Sequence, residues 1–176
     1  MERHNSVIIE VMNHAGLWDE FHRLNQSKRW VQSALTPVEL KRWKNLRMEI
    51  EKILCREVVF PSKDCRDSIR FPTALEVFYR VEGELRQRSI TTLGEGGCFI
   101  ACPDPLDRGA DLILDIALPR TAERLTLRGK VVWTSNRSSN PGMGIQFIHL
   151  IPEQKAPLFQ FIDSQISAGL GIGKGS

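Results

Sequence analysis

The sequence predicts an α+β fold in which a six-stranded antiparallel β-barrel follows an N-terminal helical hairpin and is closed by a C-terminal helix. Three observations predict this fold. Apolar residues first recur every three or four positions, up to about Cys55. From Pro72 the apolar period becomes two, and six such segments follow at short intervals, as in a small barrel. A helical period returns after Pro152.

Length and composition bound the domain organisation. The chain has 176 residues, of which 41% are hydrophobic and 26% are charged, as is typical of a folded globular protein. We expect a helical extension over residues 1–60 and a barrel domain with its closing helix over residues 61–170. The glycine-rich residues 171–176 are expected to form a flexible tail.

Charge and hydropathy argue against two classes of partner. A net charge of +3 is too small for the dense basic stripe of a nucleic-acid-binding groove. No segment approaches the ~20 apolar residues needed to span a bilayer, and no signal-peptide core follows the first residues. We therefore expect a cytoplasmic protein that binds neither nucleic acid nor membrane.

Residues 6–33 show the periodicity of one helix, or of two short helices if Gly16 interrupts it. The next helix has a clear start signal, because Thr36 is a suitable N-cap and Glu39 completes a capping box. It should end near Cys55. Its apolar face is predicted as Leu40, Trp43, Leu46, Ile50, Ile53 and Leu54, and its polar face as Lys41, Arg42, Lys44, Glu49, Glu51 and Lys52.

Two amphipathic helices cannot bury both of their apolar stripes on each other alone, so this hairpin must pack on something else. Three alternatives stay open, namely packing on the barrel domain, self-association, or a dedicated surface for a partner protein. Acidic residues lie among the basic ones on the polar face, which indicates an ordinary solvated helix surface.

Six segments are predicted as strands because apolar and polar residues alternate along them and turn residues separate them. The predicted strands are 72–81, 85–92, 97–101, 111–118, 124–133 and 143–149. The closing helix begins near Pro152, and Pro157 lies in its first turn or two.

The four cysteines, Cys55, Cys65, Cys98 and Cys102, form no CxxC motif. Cys98 and Cys102 are separated along a strand-like run by roughly 13 Å, too far for a disulfide between them. The missing ligand spacing also argues against zinc. We predict that the cysteines act as small buried hydrophobic residues and that no metal is bound.

Two short motifs flank the first two predicted strands. Arg66 and Arg70 lie four residues apart on the polar linker before the barrel, where two guanidinium forks can clamp a doubly negative, planar ligand. A glycine-rich run over residues 92–97 connects the second and third strands. Arg86 and Arg88 share one face of the second strand and either supplement the clamp or form the solvent side of that strand.

The order, spacing and strand context of these motifs resemble those of the PilZ domain family over roughly residues 64–168. Residues 66–70 match the family's RxxxR motif, and residues 92–97 align with its D/N-x-S-x-x-G motif. Residues 142–147 are similar to the family's last strand. The resemblance implies a six-stranded barrel that binds cyclic di-GMP.

The resemblance also implies roles for individual residues. Arg66 and Arg70 would bind the phosphates and guanine edges, and Gly97 would let the ligand approach closely. Thr92 and Gly94 stand where the family has an acid or amide and a serine, so two side-chain contacts are weakened or lost. Each lost hydrogen bond to a charged ligand costs roughly 1.5–3 kcal/mol, so the affinity would fall by several powers of ten. The competing interpretation is a solvated linker that pairs with Asp64, Asp67 or Glu95.

We therefore expect a cytoplasmic receptor or adaptor that binds cyclic di-GMP and signals to a protein partner, in motility or biofilm regulation. The alternative is a degenerate PilZ scaffold that does not bind the ligand and acts by protein–protein interaction or oligomerisation through its helices. Neither catalysis nor a cofactor is expected, because no recognisable nucleophile or metal spacing surrounds His4, His14, His22 or His149.

Overall fold

The computed structural model describes residues 2–30, 35–55, 68–119 and 124–172, with side chains from residue 13 onward. The chain divides into two units, one formed by Met1–Cys65 with Asp163–Ser176 and the other by Arg66–Ile162. The elements are α1 (Glu2–Trp30), α2 (Pro37–Leu54), β1 (Arg70–Val81), β2 (Glu84–Gly94), β3 (Gly97–Ala101), β4 (Asp111–Ile116), β5 (Leu125–Ser135), β6 (Gly142–Ile148) and α3 (Pro152–Gly169).

The six strands form a closed antiparallel barrel in the order β1-β2-β3-β6-β5-β4. The longest ladder joins β1 to β2, from Arg70 opposite Gly94 to Val81 opposite Glu84. The barrel closes where β1 pairs with β4. The predicted fold class, a six-stranded barrel with an N-terminal helical hairpin and a C-terminal helix, is confirmed.

Period-two patterning fills the barrel interior. In β1, Leu75, Val77 and Tyr79 are buried and the flanking Glu76 and Arg80 are exposed, whereas Phe78, on the same face as these two, is also largely buried. Burying one large apolar side chain contributes about 1.5–3 kcal/mol, so this alternation fixes which face of each strand points inward. The other strands add the buried residues Ile90, Leu93, Ile100, Leu112, Leu114, Ile116, Leu127, Val131, Met143 and Ile145.

Register shifts interrupt three of the ladders. They lie between Pro72 and Leu75 in β1, between Ile90 and Thr92 in β2, and between Val131 and Trp133 in β5. A bulge bends its strand and changes the direction of the side chains that follow it. Strict alternation therefore assigns side chains beyond a bulge to the wrong face of the strand. In addition, β5 continues to Ser135 instead of ending at Trp133 as predicted.

The two N-terminal helices begin and end close to their predicted positions. Of the two alternatives for residues 6–33, the structure has the single helix, since α1 passes through Gly16 without a break. The capping box at α2 is confirmed. The Glu39 N–H donates to Thr36 Oγ1 at 3.3 Å, and the Thr36 N–H donates to Glu39 Oε2 at 2.9 Å. Cys55 is the C-cap.

Trp43 is the centre of the contact between α1 and α2. It is fully buried and stacks on Phe21 with ring centroids 6.0 Å apart. Its indole N–H donates to Asn25 Oδ1 at 3.0 Å, and Lys28 Nζ lies 4.5 Å from the ring centroid. These contacts satisfy the polar atom of a large side chain within an apolar interface, as a buried tryptophan requires.

Glu51 corrects the predicted polar face of α2. It was expected among the exposed charges, but it is 0% exposed, and Arg47 one turn earlier is 1% exposed. Arg47 Nη1 donates to the Glu51 carboxylate at 3.3–3.4 Å across the i,i+4 spacing. A buried carboxylate persists when a cation and hydrogen bonds compensate for lost hydration. Charge alone therefore misassigned this residue to the solvent.

The end of α3 belongs to the same unit as α1. Arg29 donates two hydrogen bonds to the Asp163 carboxylate, at 2.8 and 2.9 Å, in the fork geometry that arginine favours. Pro157 lies inside α3, close to its start, as predicted. Residues 173–176 of the predicted tail lie outside the described residues. No described helix is long and apolar enough to cross a membrane.

Candidate ligand-binding groove

A groove of about 310 Å³ lies in the barrel unit, between the start of β1, the β2–β3 connection and the outer faces of β5 and β6. Its volume is at the lower end of the roughly 300–1,000 Å³ usual for small-molecule sites. Polar side chains, three glycines and an apolar wall line it. The lining residues are Ser68, Arg70, Thr92, Gln146 and Trp133, then Gly96, Gly97 and Gly144, then Cys98, Phe99, Val132 and Ile145.

Arg70 supplies the charge of the groove. It is the first residue of β1 and is exposed, and among the described residues that line the groove it is the one that carries a charge. Its neighbour across the ladder is Gly94. A Cβ on Gly94 would lie 2.7 Å from the Ile69 carbonyl oxygen and 3.2 Å from Arg70 Cγ. The absence of a side chain at Gly94 therefore lets the entering chain cross β2 closely and places Arg70 at the groove.

Gly94 itself is buried and does not line the groove. The PilZ resemblance implies a serine here, whose hydroxyl would contact the ligand. In this protein the backbone at Ile69 lies where a side chain at position 94 would begin. Gly94 thus positions Arg70, while Thr92, two residues earlier on β2, is half-buried and lines the groove. Thr92 follows the bulge in β2 and pairs with Phe99 of β3.

Gly97 lies at the start of β3, opposite Gln146 of β6, and lines the groove. A Cβ at this position would collide with the backbone carbonyl of Ile145. Close contact between β3 and β6 therefore requires glycine here, independently of any ligand. The role predicted for Gly97 in ligand approach stays a prediction, whereas its role in barrel packing follows from this contact.

Two aromatic rings form one wall of the groove. Phe99 of β3 and Trp133 of β5 lie on either side of Gly144 of β6 in one row across the sheet. The rings meet over the glycine with centroids 5.0 Å apart and planes 18° from parallel. A Cβ on Gly144 would strike the indole ring of Trp133. Trp133 remains 45% exposed, so its outer part is open to solvent.

Sequence reasoning missed Trp133, Phe99 and Gln146 as groove residues. Strict alternation along the predicted strand 124–133 puts Trp133 on the same face as Leu125, Leu127 and Val131, but it does not show what lies beside the indole. The available signal was Gly144 inside the last strand, because a glycine within a strand often marks the close approach of another group. The bulge between Val131 and Trp133, which the sequence does not reveal, turns the indole outward.

Of the predicted site residues, Arg70, Thr92 and Gly97 come together at the groove, and Gly94 lies behind Arg70. Arg66 lies outside the described residues. The structure therefore brings together the described members of both motifs on one side of the barrel.

Arg86 and Arg88 do not line the groove. Arg86 Nη1 donates to Asp104 Oδ2 at 2.6 Å, and Arg88 Nη2 donates to Asp104 Oδ1 at 3.0 Å. They share a strand face with buried Ile90, and their side chains are only 25% and 28% exposed. Hydrogen bonding from Arg88, with the charge of both arginines, holds the pKa of Asp104 below its usual range. These arginines therefore pair with a surface carboxylate instead of contributing to the groove.

No disulfide joins the described cysteines, of which Cys98 and Cys102 are buried and Cys55 is partly exposed. Burial raises the pKa of the Cys98 thiol, and the charge of nearby Arg70 offsets part of that rise. Burial also raises the pKa of the Cys102 thiol. Both thiols are therefore protonated and weakly nucleophilic at neutral pH. Within the described parts of the chain, no three His, Cys, Asp or Glu residues converge as metal ligands do.

The chain belongs to the PilZ domain family, whose model matches residues 64–164. This match covers the barrel and the groove, together with most of α3. No curated protein matches the chain.

The barrel fold is shared with solved structures of YcgR from Escherichia coli. The chain has a TM-score of 0.52 and 14% identity to YcgR of Escherichia coli in complex with cyclic di-GMP, covering 58% of this chain and 46% of that one. For the PilZ domain of YcgR with cyclic di-GMP, the TM-score is 0.50 and the identity is 11%. This match covers 60% of this chain and 93% of that one. The Bacillus subtilis inhibitor of motility MotI/DgrA has a TM-score of 0.49 and 20% identity to the chain. This match covers 60% of this chain and 53% of that one. The chain thus spans about half the length of YcgR and of MotI/DgrA.

Proposed function

We propose that this protein is a receptor for cyclic di-GMP that uses the groove beside Arg70. The observation that carries the proposal is the combination of one arginine with an exposed tryptophan that is stacked on a second ring, in a groove of about 310 Å³. A cyclic dinucleotide presents anionic phosphates and flat purines, and these are the two groups that guanidinium and aromatic side chains bind best. Membership of the PilZ family and the ligand of the YcgR structures support the same conclusion.

Each part of the groove has a defined task in this proposal. Arg70 offers two parallel N–H donors to a phosphate. Trp133 offers its exposed face to a base, and Phe99 behind it keeps the indole in place. Ser68 and Thr92 add hydroxyl groups that both donate and accept hydrogen bonds. Arg66, four residues before Arg70, is proposed as a second phosphate ligand on the strength of the RxxxR motif.

The second motif limits affinity. Thr92 provides a hydroxyl where an acid or amide is expected, and Gly94 has no side chain in a space that the entering chain fills. Each missing hydrogen bond to a charged or polar ligand group costs roughly 1–3 kcal/mol. We therefore propose binding in the micromolar range, with Trp133 stacking partly offsetting the lost contacts at about 1–3 kcal/mol for each base.

The signal is proposed to pass to a protein partner, through the helical hairpin of α1 and α2, in the cytoplasm. The competing proposal is a PilZ scaffold that does not bind the ligand and acts through these helices alone. Gly94 favours this second proposal, because the backbone at Ile69 lies where the serine side chain of the family motif would contact the ligand. Light scattering of the protein with and without cyclic di-GMP shows whether self-association accompanies either function.

Titration calorimetry of the full chain with cyclic di-GMP tests the receptor proposal. We expect saturable binding by the native protein and a loss of at least about tenfold in affinity in Arg70→Ala and in Trp133→Leu, the effect of about 1.4 kcal/mol. Arg137→Ala is the matched control, since Arg137 is exposed on the β5–β6 loop and does not line the groove. If no heat is measured up to about 100 μM ligand, the binding free energy is weaker than about −5.5 kcal/mol. This result would favour the scaffold.

A further inference from the structure

Gln146 is the next outward-facing residue after Gly144 on β6, and it lines the groove. Residues two apart on a strand are about 7 Å from each other on the same face. The Gln146 side chain therefore starts about one base width from the Phe99–Trp133 stack, which lies over Gly144.

The two cross-strand neighbours of Gln146 leave its amide access to the groove. On β3 the neighbour is Gly97, which has no side chain. On β5 the neighbour is Lys130, whose ammonium group lies 3.5 Å from the Asp111 carboxylate. Gln146 is exposed on β6, so its amide can turn toward a ring that is seated on Trp133.

With Arg70 bound to a phosphate, the other described residues that line the groove carry no group that selects one purine over the other. Among the described residues that line it, none is aspartate or glutamate. Besides Arg70, the polar side chains available to meet a base edge are the Gln146 amide and the hydroxyls of Ser68 and Thr92. Each of these groups both donates and accepts hydrogen bonds, whereas a carboxylate only accepts.

We propose that Gln146 reads the edge of the purine stacked on Trp133, and that the groove consequently accepts adenine as well as guanine in a cyclic dinucleotide. This inference rests on the proposed function of the groove. A glutamine amide pairs with guanine by accepting from N1–H and donating to O6. It pairs with adenine by accepting from the N6 amino group and donating to N1, since rotation of the amide exchanges its two ends.

A carboxylate at position 146 would behave differently. It accepts two hydrogen bonds from guanine N1–H and N2–H, but it repels the lone pair of adenine N1. Gln146→Glu should therefore shift the preference toward guanine. The added negative charge weakens binding of every cyclic dinucleotide by a similar factor, so the ratio of affinities is the informative quantity.

The experiment is calorimetry of the full chain with cyclic di-GMP, cyclic di-AMP and the mixed guanine–adenine cyclic dinucleotide. For the wild-type protein we expect dissociation constants within about fivefold of one another, at the lower limit of the discrimination that a bidentate base contact typically provides. In Gln146→Glu the ratio should change in favour of cyclic di-GMP by about tenfold or more. Gln160→Glu, an identical change on an exposed residue of α3 outside the groove, should leave the ratio unchanged.

The outcomes separate the two proposals. If cyclic di-GMP binds but Gln146→Glu leaves the ratio unaltered, the inference about Gln146 is overturned while the receptor function stands. The same holds if the wild-type protein already prefers cyclic di-GMP to cyclic di-AMP by more than about 100-fold, beyond what its ambivalent amide and hydroxyl groups explain. If none of the three ligands binds, both the inference and the receptor function fail.

Discussion

Trp133 stacks on Phe99 across Gly144, with ring centroids 5.0 Å apart and planes 18° from parallel. Three neighbouring strands contribute one residue each, and the middle one has no side chain. The indole is thus held from behind and remains open in front, with 45% of its surface exposed. An aromatic ring held in this way loses little conformational entropy when a base stacks on it, which favours binding of flat ligands.

Gly144→Ala should disturb this stack directly, because the added methyl group would overlap the Trp133 indole. We expect affinity for cyclic di-GMP to fall by about tenfold, within the 1–3 kcal/mol that base stacking provides. Calorimetry on the folded variant measures the change. Gly96→Ala is the control in the same groove, since a Cβ at Gly96 meets nothing within 4 Å. Equal affinities of the two variants would contradict a role for the stack.

Gly97→Ala should weaken the fold whether or not ligand is present. Its methyl group would collide with the Ile145 carbonyl, and a backbone atom inside a ladder cannot move aside. We expect the free energy of unfolding to fall by about 1–3 kcal/mol, as for other overpacked sites. Urea denaturation measures the loss, and Gly96→Ala should change stability far less. A Gly97→Ala variant as stable as wild type would show that β3 and β6 are not held this closely.

Glu51→Gln should destabilise the helical unit by leaving Arg47 buried with a weaker partner. Removal of one member of a buried ion pair costs about 3–5 kcal/mol, and the retained amide should reduce that loss to about 2–3 kcal/mol. Glu49→Gln is the same change at an exposed position of α2 and should be nearly neutral. Chemical denaturation of both variants gives the comparison. Similar stabilities would mean that Glu51 is hydrated in solution.

Asp104 should make stability depend on acid pH. The pKa of its carboxyl group is below the ordinary value of 3.8, first because of the hydrogen bond from Arg88. Since the folded-state pKa is the lower one, this stabilisation is complete above the unfolded-state pKa and is lost as the pH falls through the folded-state pKa. The side chain is 46% exposed, so solvent screening limits the contribution to about 1 kcal/mol or less.

The comparison of wild type with Asp104→Asn tests this dependence. At pH 6 the wild-type protein should be slightly more stable than the variant, because only the carboxylate attracts both Arg86 and Arg88. At a second pH below 3.8, the ordinary pKa of the group, the difference should be smaller because the carboxylate becomes protonated. Urea denaturation at both pH values measures it. A difference that stays constant between the two pH values would contradict the ion pairs.

Local signals predicted the fold well. Thr36 and Glu39 are three residues apart, and their capping box depends on nothing beyond the helix start, so it could be predicted from sequence. The alternation of Leu75, Val77 and Tyr79 likewise depends only on the period of a strand. Structural features that depend only on residues close together in the sequence could therefore be predicted from it.

The site was less predictable because its geometry depends on contacts between distant segments. Arg70 was identified from its motif, but its position depends on Gly94 approaching the entering chain. Trp133 becomes a groove residue because a bulge turns it outward and Gly144 clears its path. Glu51 is buried because of its partner Arg47, which charge patterning does not reveal. Pairing register and partner choice are properties of the whole fold.

The melting temperature in the presence of cyclic di-GMP tests the central claim directly, because a ligand that binds only the native protein must stabilise it. Ligand at 100 times its dissociation constant adds about 2.7 kcal/mol, equivalent to a shift of roughly 5–10 °C for a chain of this size. We predict such a shift for the wild-type protein and for Arg137→Ala, and a much smaller one for Arg70→Ala. An unchanged melting temperature of the wild-type protein at millimolar cyclic di-GMP would contradict the receptor function.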